Sequence, residues 1–256
     1  MALLDVYDVT VRFGGVRALA GVSLHVNHGE IFGLVGPNGA GKTTLFNAVT
    51  GVVRPGSGRI RYEEKDIDHL APHRRARLGI ARTFQNLQLF SAMTVLENLM
   101  LPVDAFARRG PVADALRLPH AAFEERRAIE RARAMLHLVG ADGLDDVVAS
   151  DLPIGVQRRI ELARALCLRP KLLLLDEPAS GLDARETAEL ADLLPHIRER
   201  LGTTMLLVDH DMALVMRVCD YIAVLDFGEL IATGPPERIR SDRRVIRAYL
   251  GEEVAS

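Results

Sequence analysis

The fold is decided by the stretch Gly36-Pro37-Asn38-Gly39-Ala40-Gly41-Lys42-Thr43-Thr44. It fits the pattern G-x-x-x-x-G-K-[ST], follows an apolar strand at 30–35, and opens a helix that we expect to end at Gly51. Glycines let successive backbone N–H groups point into one concavity, and the helix start adds partial positive charge. Lys42 can then reach the β- and γ-phosphates, and the Thr43 hydroxyl can ligate Mg²⁺. Motif and context together disfavour a plain glycine turn and predict a nucleoside triphosphate site.

An acidic pair follows a second apolar run. The run Leu172-Leu173-Leu174-Leu175 suits a strand buried on both faces, and Asp176 and Glu177 come directly after it. Open α/β sheets place their ligands at this carboxyl end of the strands. Asp176 would hold Mg²⁺, directly or through water, and Glu177 would polarise the attacking water as general base. An isolated Asp-Glu pair is often only a solvated strand end, but the preceding phosphate loop favours the catalytic interpretation.

Composition and charge exclude several classes of protein. The 256 residues are 48% hydrophobic, and 32 Lys and Arg against 34 Asp and Glu give a net charge of −2. Nucleic-acid binders usually carry a basic excess, so no nucleic-acid partner is expected. Cys167 and Cys219 have apolar neighbours and no metal-ligand spacing, which predicts buried, reduced thiols. No apolar run approaches the ~20 residues that cross a bilayer and no N-terminal signal is visible, so we expect a soluble protein that meets a membrane only through a partner.

Hydrophobic periodicity divides the chain into an α/β core and a helical block. Residues 3–13 and 22–26 alternate like antiparallel strands around Gly14-Gly15, and further strands are predicted at 59–62, 171–175, 204–208 and 221–225. From about 94 to 168 the pattern is helical. There Thr94 and Glu97 have capping-box spacing, Pro102 should end the helix they begin, and 103–120 is interpreted as an irregular insertion. Other helices are predicted at about 157–168, 184–201 and 212–218.

The segment around the acidic pair carries a family resemblance. The stretch Asp176-Glu177-Pro178-Ala179-Ser180-Gly181-Leu182-Asp183 resembles the Walker B and D-loop sequence of ATP-binding-cassette (ABC) ATPases. His210 stands where that family carries its switch histidine, and Gln85 where it carries its Q-loop glutamine. Phe13 is similar to the aromatic residue that stacks on adenine. Each of these three residues alone would be interpreted as structural, and their order around two strong motifs favours the functional interpretation.

The resemblance covers essentially the whole chain and implies a single α/β ABC ATPase domain. It would have a phosphate-loop NTPase core at about 1–84 and 169–256, with an antiparallel β subdomain, and an inserted α-helical subdomain at about 85–168. In the family two subunits, identical or different, sandwich two ATP molecules with Mg²⁺. These subunits lie in the cytoplasm, peripheral on the inner face of the cytoplasmic membrane, and drive transmembrane permease subunits. A substrate-binding protein delivers the substrate to the permease and so acts with the ATPase only indirectly. His210 would contact the γ-phosphate, Gln85 would sense and ligate Mg²⁺, and Asp183 would reach across the dimer.

The signature segment departs from the family pattern. The consensus Leu-Ser-Gly-Gly-Gln corresponds to Leu152-Pro153-Ile154-Gly155-Val156, in which only the leucine and the second glycine match. The helix that follows strongly resembles the family and sets the alignment. Pro153 offers neither a hydroxyl nor a backbone N–H, whereas Gly155 remains at the helix start, where N–H groups face an anion. We therefore expect Gly155 to contact the partner's nucleotide, and hydrolysis to be weaker than in a consensus site.

Within the superfamily the chain is similar to the ATPase subunits of branched-chain amino-acid importers. The features that carry this are Arg12-Phe13-Gly14-Gly15, Arg82-Thr83-Phe84-Gln85, the insertion after Asn98-Leu99, and Ile246-Arg247-Ala248-Tyr249-Leu250-Gly251-Glu252. ATPases for urea or lipopolysaccharide transport share much of this pattern. Non-transport classes fit less well. A ribosome-associated ABC factor would carry two cassettes, whereas this chain has one phosphate loop, and a DNA-repair ATPase would carry long coiled coils, whereas the helical block here is short. A GTPase or kinase would lack the Asp-Glu-Pro segment and the signature helix.

Four apolar residues crowd around Gln85 and suggest where a permease would dock. They are Phe84, Leu87, Leu89 and Phe90. A protein that acts on a membrane without a spanning segment must contact the cytoplasmic loops of its partner, and exposed apolar residues mark such surfaces. The alternative is that they pack the core of the helical block. The sequence leaves both interpretations open.

Overall fold

The computed structural model describes residues 1–83, 85–106 and 119–253. Its strands are β1 (Ala2–Phe13), β2 (Val16–Asn27), β3 (Ile31–Val35), β4 (Ser57–Tyr62), β5 (Lys65–Asp66), β6 (Ile80–Arg82), β7 (Leu172–Asp176), β8 (Thr204–Val208), β9 (Tyr221–Asp226) and β10 (Glu229–Gly234). Its α-helices are α1 (Lys42–Thr50), α2 (Pro72–Arg77), α3 (Val95–Phe106), α4 (Pro119–Leu138), α5 (Ile154–Leu166), α6 (Ala184–Leu201), α7 (Met212–Val218), α8 (Pro236–Ser241) and α9 (Arg243–Glu253).

Six strands form a central sheet in the order β10-β9-β3-β8-β7-β6. The strands from β9 to β6 are parallel, and β10 pairs antiparallel with β9. Every residue of β3, β7 and β8 is buried, which is why these strands are continuous apolar runs without alternation. Because parallel strands end at one edge, the segments that follow β3, β7 and β8 meet there.

A separate antiparallel sheet has the order β2-β1-β4-β5. The turn at Gly14-Gly15 joins β1 to β2, and Phe13 pairs with Val16 across it. Gly14 has a φ of 57°, a left-handed conformation that favours glycine. The predicted hairpin is confirmed, although β2 begins before the predicted 22–26 strand because its exposed first residues show no apolar alternation.

Two apolar layers cover the faces of the central sheet, and the strands alternate between them. Along β7, Leu172 and Leu174 belong to the layer that includes the antiparallel sheet and α1. Leu173 and Leu175 belong to the layer that includes residues of α5, α6 and α7. The strand edge that carries the acidic pair is therefore fixed from both sides.

The helical block agrees with the sequence except near its prolines. The capping box is confirmed, because Thr94 N–H donates to Glu97 at 2.8 Å and Glu97 N–H donates to Thr94 at 3.2 Å. The expected helix end at Pro102 is wrong: α3 continues to Phe106, and Val103 beyond the proline packs against the same core. The helix expected from 157 begins at Ile154, directly after Pro153. Of the predicted insertion, residues 107–118 lie outside the described part of the chain, as does Phe84.

Candidate functional site

The phosphate loop joins β3 to α1 and holds its own lysine. The Lys42 ammonium is buried and donates hydrogen bonds to the carbonyl oxygens of Gly36 at 2.6 Å and Pro37 at 2.8 Å. Ala40 N–H also donates to the Pro37 carbonyl, at 3.2 Å, which closes the turn. Thr43 is exposed in the first turn of α1, while Thr44 is half-buried. The loop thus presents a cation beside a helix start, the arrangement that receives phosphate.

Two glycines of the loop are required by close backbone approaches. A Cβ on Gly36, whose φ is 150°, would overlap the carbonyl oxygen of Leu225 in β9. A Cβ on Gly41, whose φ is 105°, would lie 2.5 Å from the carbonyl oxygen of Ala18 in β2. Strands of both sheets therefore press on the loop, and only glycine fits at these two positions.

Asp176, at the end of β7, is held by an arginine that the motif analysis did not assign to the site. Arg82, at the end of β6, donates to the Asp176 carboxylate at 2.5 Å, and the two side chains are 10% and 7% exposed. The same guanidinium donates to the Asn47 side chain at 2.7 Å and lies 5.6 Å from the centre of the Phe46 ring. One carboxylate oxygen is thus committed to Arg82, which fixes the orientation of the group.

Glu177 stands where the predicted catalytic side chains meet. Its N–H donates to the Val208 carbonyl at 2.7 Å, and its φ of 48° turns the chain sharply away from β7. Gln85 Nε2 donates to Glu177 Oε2 at 2.8 Å. His210 Nδ1 lies 3.8 Å from the same oxygen, and its side chain is 69% exposed. The structure therefore brings Glu177, Gln85 and His210 together beside Asp176.

Asp209 ties the histidine loop to the segment after Glu177. Its fully buried carboxylate accepts from Ala179 N–H at 3.1 Å and from Asp211 N–H at 2.9 Å. Burial raises the pKa of this carboxyl, although the two backbone hydrogen bonds act in the opposite direction. Asp209, the residue next to His210, is thus anchored, while the His210 imidazole itself is exposed to solvent.

Gly155 and Asp183 lie at the starts of two neighbouring helices. Asp183 caps α6 in a capping box: it accepts from Glu186 N–H at 2.7 Å, and its own N–H donates to the Glu186 carboxylate at 3.0 Å. Gly155 is buried in the first turn of α5, and a Cβ there would overlap the Glu186 carboxylate. A contact within the same chain, with Glu186, therefore favours glycine at position 155. Phe13 is 52% exposed at the end of β1.

No helix in the described ranges is both long and apolar enough to cross a bilayer. The sequence from 19 to 180, more than half of the chain, matches the ABC transporter family. The chain belongs to the ATP-binding subunits of ABC transporters. This confirms the resemblance and the ATPase assignment drawn from the motifs. Residues 229–255 of the ABC ATPase also match the branched-chain amino acid ATP-binding cassette transporter family.

Relatives of known assignment align with the ABC ATPase along nearly its whole length. The branched-chain amino acid transport ATP-binding proteins BraF of Pseudomonas aeruginosa and LivG of Salmonella typhimurium are 42% and 43% identical over 250 residues, 98% of each chain. The lipopolysaccharide export ATP-binding protein LptB of Escherichia coli is 37% identical over 253 residues, 99% of each chain.

Solved structures confirm the predicted fold class. The ADP conformation of the ATP-binding cassette MJ1267 superposes with a TM-score of 0.86 at 31% identity, covering 98% of the ABC ATPase and 99% of that chain. A dimeric post-hydrolysis structure of the cassette MJ0796, bound to ADP and phosphate, gives 0.75 at 26% identity, with 91% and 98% covered.

Proposed function

We propose that this ABC ATPase hydrolyses Mg-ATP in a dimer that drives amino-acid import, with Glu177 as general base. The observation that carries the chemistry is the position of Glu177 Oε2 between Gln85 and His210, directly after Asp176. A carboxylate so held can accept the proton of an attacking water while the phosphate loop holds the nucleotide. His210 would stabilise charge on the γ-phosphate.

The residues at this edge fit a magnesium ion. Mg²⁺ prefers oxygen ligands and is usually bound by one or two protein groups together with substrate phosphates. Thr43 supplies a hydroxyl, Asp176 a carboxylate and Gln85 an amide oxygen. Because Arg82 engages Asp176 Oδ2 at 2.5 Å, the other carboxylate oxygen is the one that would serve the ion or its water. When bound, the ion would neutralise phosphate charge.

A dimer would complete the site. Gly155 and Asp183 stand at adjacent helix starts, and helix starts bind anions, so this surface could take the nucleotide held by a second subunit. The dimeric structure of MJ0796 with ADP and phosphate supports such an arrangement. Whether the second subunit is the same chain or a related ATPase is an outcome for experiment.

A groove whose lining includes Arg82 and Phe90, which flank Gln85 in the sequence, suits the loops of a membrane permease. It has a volume of about 560 Å³, and its apolar lining includes Val52, Phe90 and Leu101. Val52 is 65% exposed and Phe90 55% exposed, so the groove offers exposed apolar side chains that a partner could cover. Leu87 and Leu89 are half-buried, and Leu89 packs against the core. Through such a docking site the protein would sit on the inner face of the cytoplasmic membrane.

Branched-chain amino acids are the proposed cargo class. The support is the identity of 42–43% to BraF and LivG over 98% of the chain, together with the family match at 229–255. Lipopolysaccharide export is the second candidate, because LptB is 37% identical over 99% of the chain. Uptake of labelled leucine by cells that co-express the chain with candidate permeases and a binding protein would decide between them. Failure of every such import combination would favour export.

The catalytic proposal is tested by Glu177→Gln. We expect ATP turnover to fall by roughly 10²–10⁴-fold, with Mg-ATP binding retained. Loss of one negative charge beside the γ-phosphate should also favour an ATP-dependent dimer, which size-exclusion chromatography detects. Glu63→Gln is the matched control, because Glu63 pairs with Lys171 away from the cluster. Unchanged turnover in Glu177→Gln would assign the base elsewhere, with His210 the next candidate.

A further inference from the structure

A row of charged side chains on helix α5 forms hydrogen bonds with the backbone of residues 85–88. Arg158, Glu161 and Arg164 are spaced by three residues, which places them along one side of the helix. Arg158 Nη2 donates to the Gln85 carbonyl at 2.6 Å, and Arg164 Nη1 to the Gln88 carbonyl at 2.6 Å. Glu161 accepts from Gln88 N–H at 3.1 Å. The backbone of this segment is therefore bound to the helix that begins at the signature.

Arg158 also reaches the segment on the other side of Glu177. The same nitrogen, Nη2, lies 3.2 Å from the carbonyl oxygen of Ser180. Ser180 N–H in turn donates to the carbonyl of Glu177 at 3.0 Å, closing the turn that begins at the general base. The arginine side chain is 11% exposed, and Nη1 pairs at 3.4 Å with Glu161, whose side chain is 3% exposed. One largely shielded guanidinium thus joins three segments of the chain.

Both branches of this contact converge on Glu177. One runs through the backbone of Gln85, whose side chain holds Glu177 Oε2, and the other runs through Ser180 to the Glu177 carbonyl. Gly155 lies three residues before Arg158 in the same helix. Because a helix moves as a rigid unit, a shift of its first turn moves Arg158 and shifts or strains the hydrogen bonds to both carbonyls. Hydrogen bonds from a charged donor are among the stronger ones, so such a shift changes the position of the base.

We propose that Arg158 is a positioning residue that couples nucleotide contact at the start of α5 to the alignment of Glu177. This rests on the proposed function, because it takes Glu177 as the base and Gly155 as the contact with the partner's nucleotide. Arg158 touches neither nucleotide nor water in this scheme. It sets the two backbone segments between which the general base is held, and so links the state of one composite site to hydrolysis.

A split between nucleotide affinity and turnover tests the proposal in the full chain. For Arg158→Gln we expect the ATP dissociation constant and the ATP-dependent dimer to stay within about twofold, while kcat falls about ten- to hundredfold because a charged hydrogen bond is lost. Arg158→Lys keeps a charged donor and should recover part of kcat. Arg159→Gln is the matched control: it removes the neighbouring guanidinium, which pairs with Glu189 of α6, and should leave kcat within about threefold.

Two results would overturn the inference. One is an Arg158→Gln protein with wild-type kcat. The other is a loss of kcat that is equal in Arg159→Gln and Arg158→Gln and that parallels the fall in melting temperature in both variants. Such a result would mean that Arg158 only stabilises the fold. If Arg158→Gln does not fold, Arg158→Lys carries the test, and wild-type kcat there with weakened ATP binding contradicts the proposal. A wild-type chain that hydrolyses no ATP would instead defeat the proposed function.

Discussion

Arg82 and Asp176 form an ion pair of 2.5 Å between the ends of two adjacent strands, β6 and β7. Both side chains are about nine-tenths buried, so neither charge is well solvated. A buried pair of this kind adds little net stability when it is intact, because desolvation offsets the attraction. Its removal is different: a single uncompensated charge in the interior is strongly unfavourable. The pair therefore makes the orientation of Asp176 depend on the neighbouring strand β6, which ends at Arg82.

Replacement of Arg82 should destabilise the protein and weaken magnesium binding. For Arg82→Ala we expect the free energy of unfolding to fall by about 3–5 kcal/mol, the usual result of breaking a buried pair. Urea denaturation measures this, and titration with Mg-ATP measures the second effect. Arg61→Ala removes a half-exposed pair with Asp66 and should cost no more than about 1 kcal/mol. Equal losses in the two variants would contradict the role of burial.

The altered signature should tolerate a restored serine better than a side chain at Gly155. Pro153→Ser adds donors at the start of α5, and we expect ATP turnover to rise by less than about a hundredfold. Gly155→Asp should abolish most activity, because its carboxylate would collide with that of Glu186 and also face the partner's phosphate. ATPase rates of the two variants test this.

The two causes at Gly155 can be separated within the chain. Gly155→Ala combined with Glu186→Ser relieves the collision, so the double variant should melt no lower than Glu186→Ser alone, which itself loses the hydrogen bond from Asp183 N–H. If activity returns together with stability, the glycine serves only the packing on Glu186. Stability without activity would show that the segment also contacts nucleotide. A Gly155→Ala protein with unaltered melting temperature would be incompatible with the close contact described here.

The groove that Phe90 lines should matter only in the assembled transporter. Phe90→Ser removes an exposed apolar side chain, so the melting temperature and the ATPase rate of the isolated subunit should change little. Stimulation of the ATPase by co-purified permease should fall severalfold, because apolar contact area at the interface is lost. Leu201→Ser, at the end of α6, is the control outside the groove and 40% exposed. Full stimulation of Phe90→Ser would remove Phe90 from the docking surface.

The cysteines should be unreactive around neutral pH. Burial raises the pKa of the Cys167 thiol to about 12 and also raises that of Cys219. Only the thiolate is alkylated, so in the native protein the rate should stay low from about pH 7 to about pH 9 and should rise by about tenfold per pH unit without levelling off. In urea both thiols should titrate near the ordinary value of about 8.5. Mass spectrometry after iodoacetamide treatment reads this directly, and a native rate with a midpoint near that value would oppose it.

The sequence predicted the elements that have strong local signals. The phosphate loop, the apolar run before Asp176 and the Thr94–Glu97 capping box all carry their information within about ten residues, and the structure has a helix or strand at each. The strands β6 and β10 and the helices α2 and α8 were not predicted, since they span only three to six residues and take their stability from neighbours. The helix α3 continues through Pro102 because tertiary packing outweighs one missing backbone hydrogen bond.

The site divides in the same way. Motifs predicted Lys42, Asp176 and Glu177, and spacing within the family predicted Gln85 and His210. Arg82, Asp209 and Arg158 were missed because their importance comes from burial and from partners 30 or more residues away. Arg82 meets Asp176 across 94 positions, Asp209 meets Ala179 across 30, and Arg158 meets Gln85 across 73. Only the fold shows that these charged groups are shielded from solvent.

The contact of Gly155 with Glu186 affects which positions of the signature segment, residues 152–156, can change during evolution. Ile154, beside it, is 46% exposed and Pro153 is exposed as well, so both positions can accept other side chains at no packing cost. Gly155 differs, because a Cβ there would push the Glu186 carboxylate away from its hydrogen bond with Asp183 N–H. A lineage that lost hydrolysis at the proposed composite site would therefore still have a packing reason to favour the glycine. A surviving signature glycine reflects the fit of two helices as well as nucleotide contact, so by itself it is a poor marker of an active cassette.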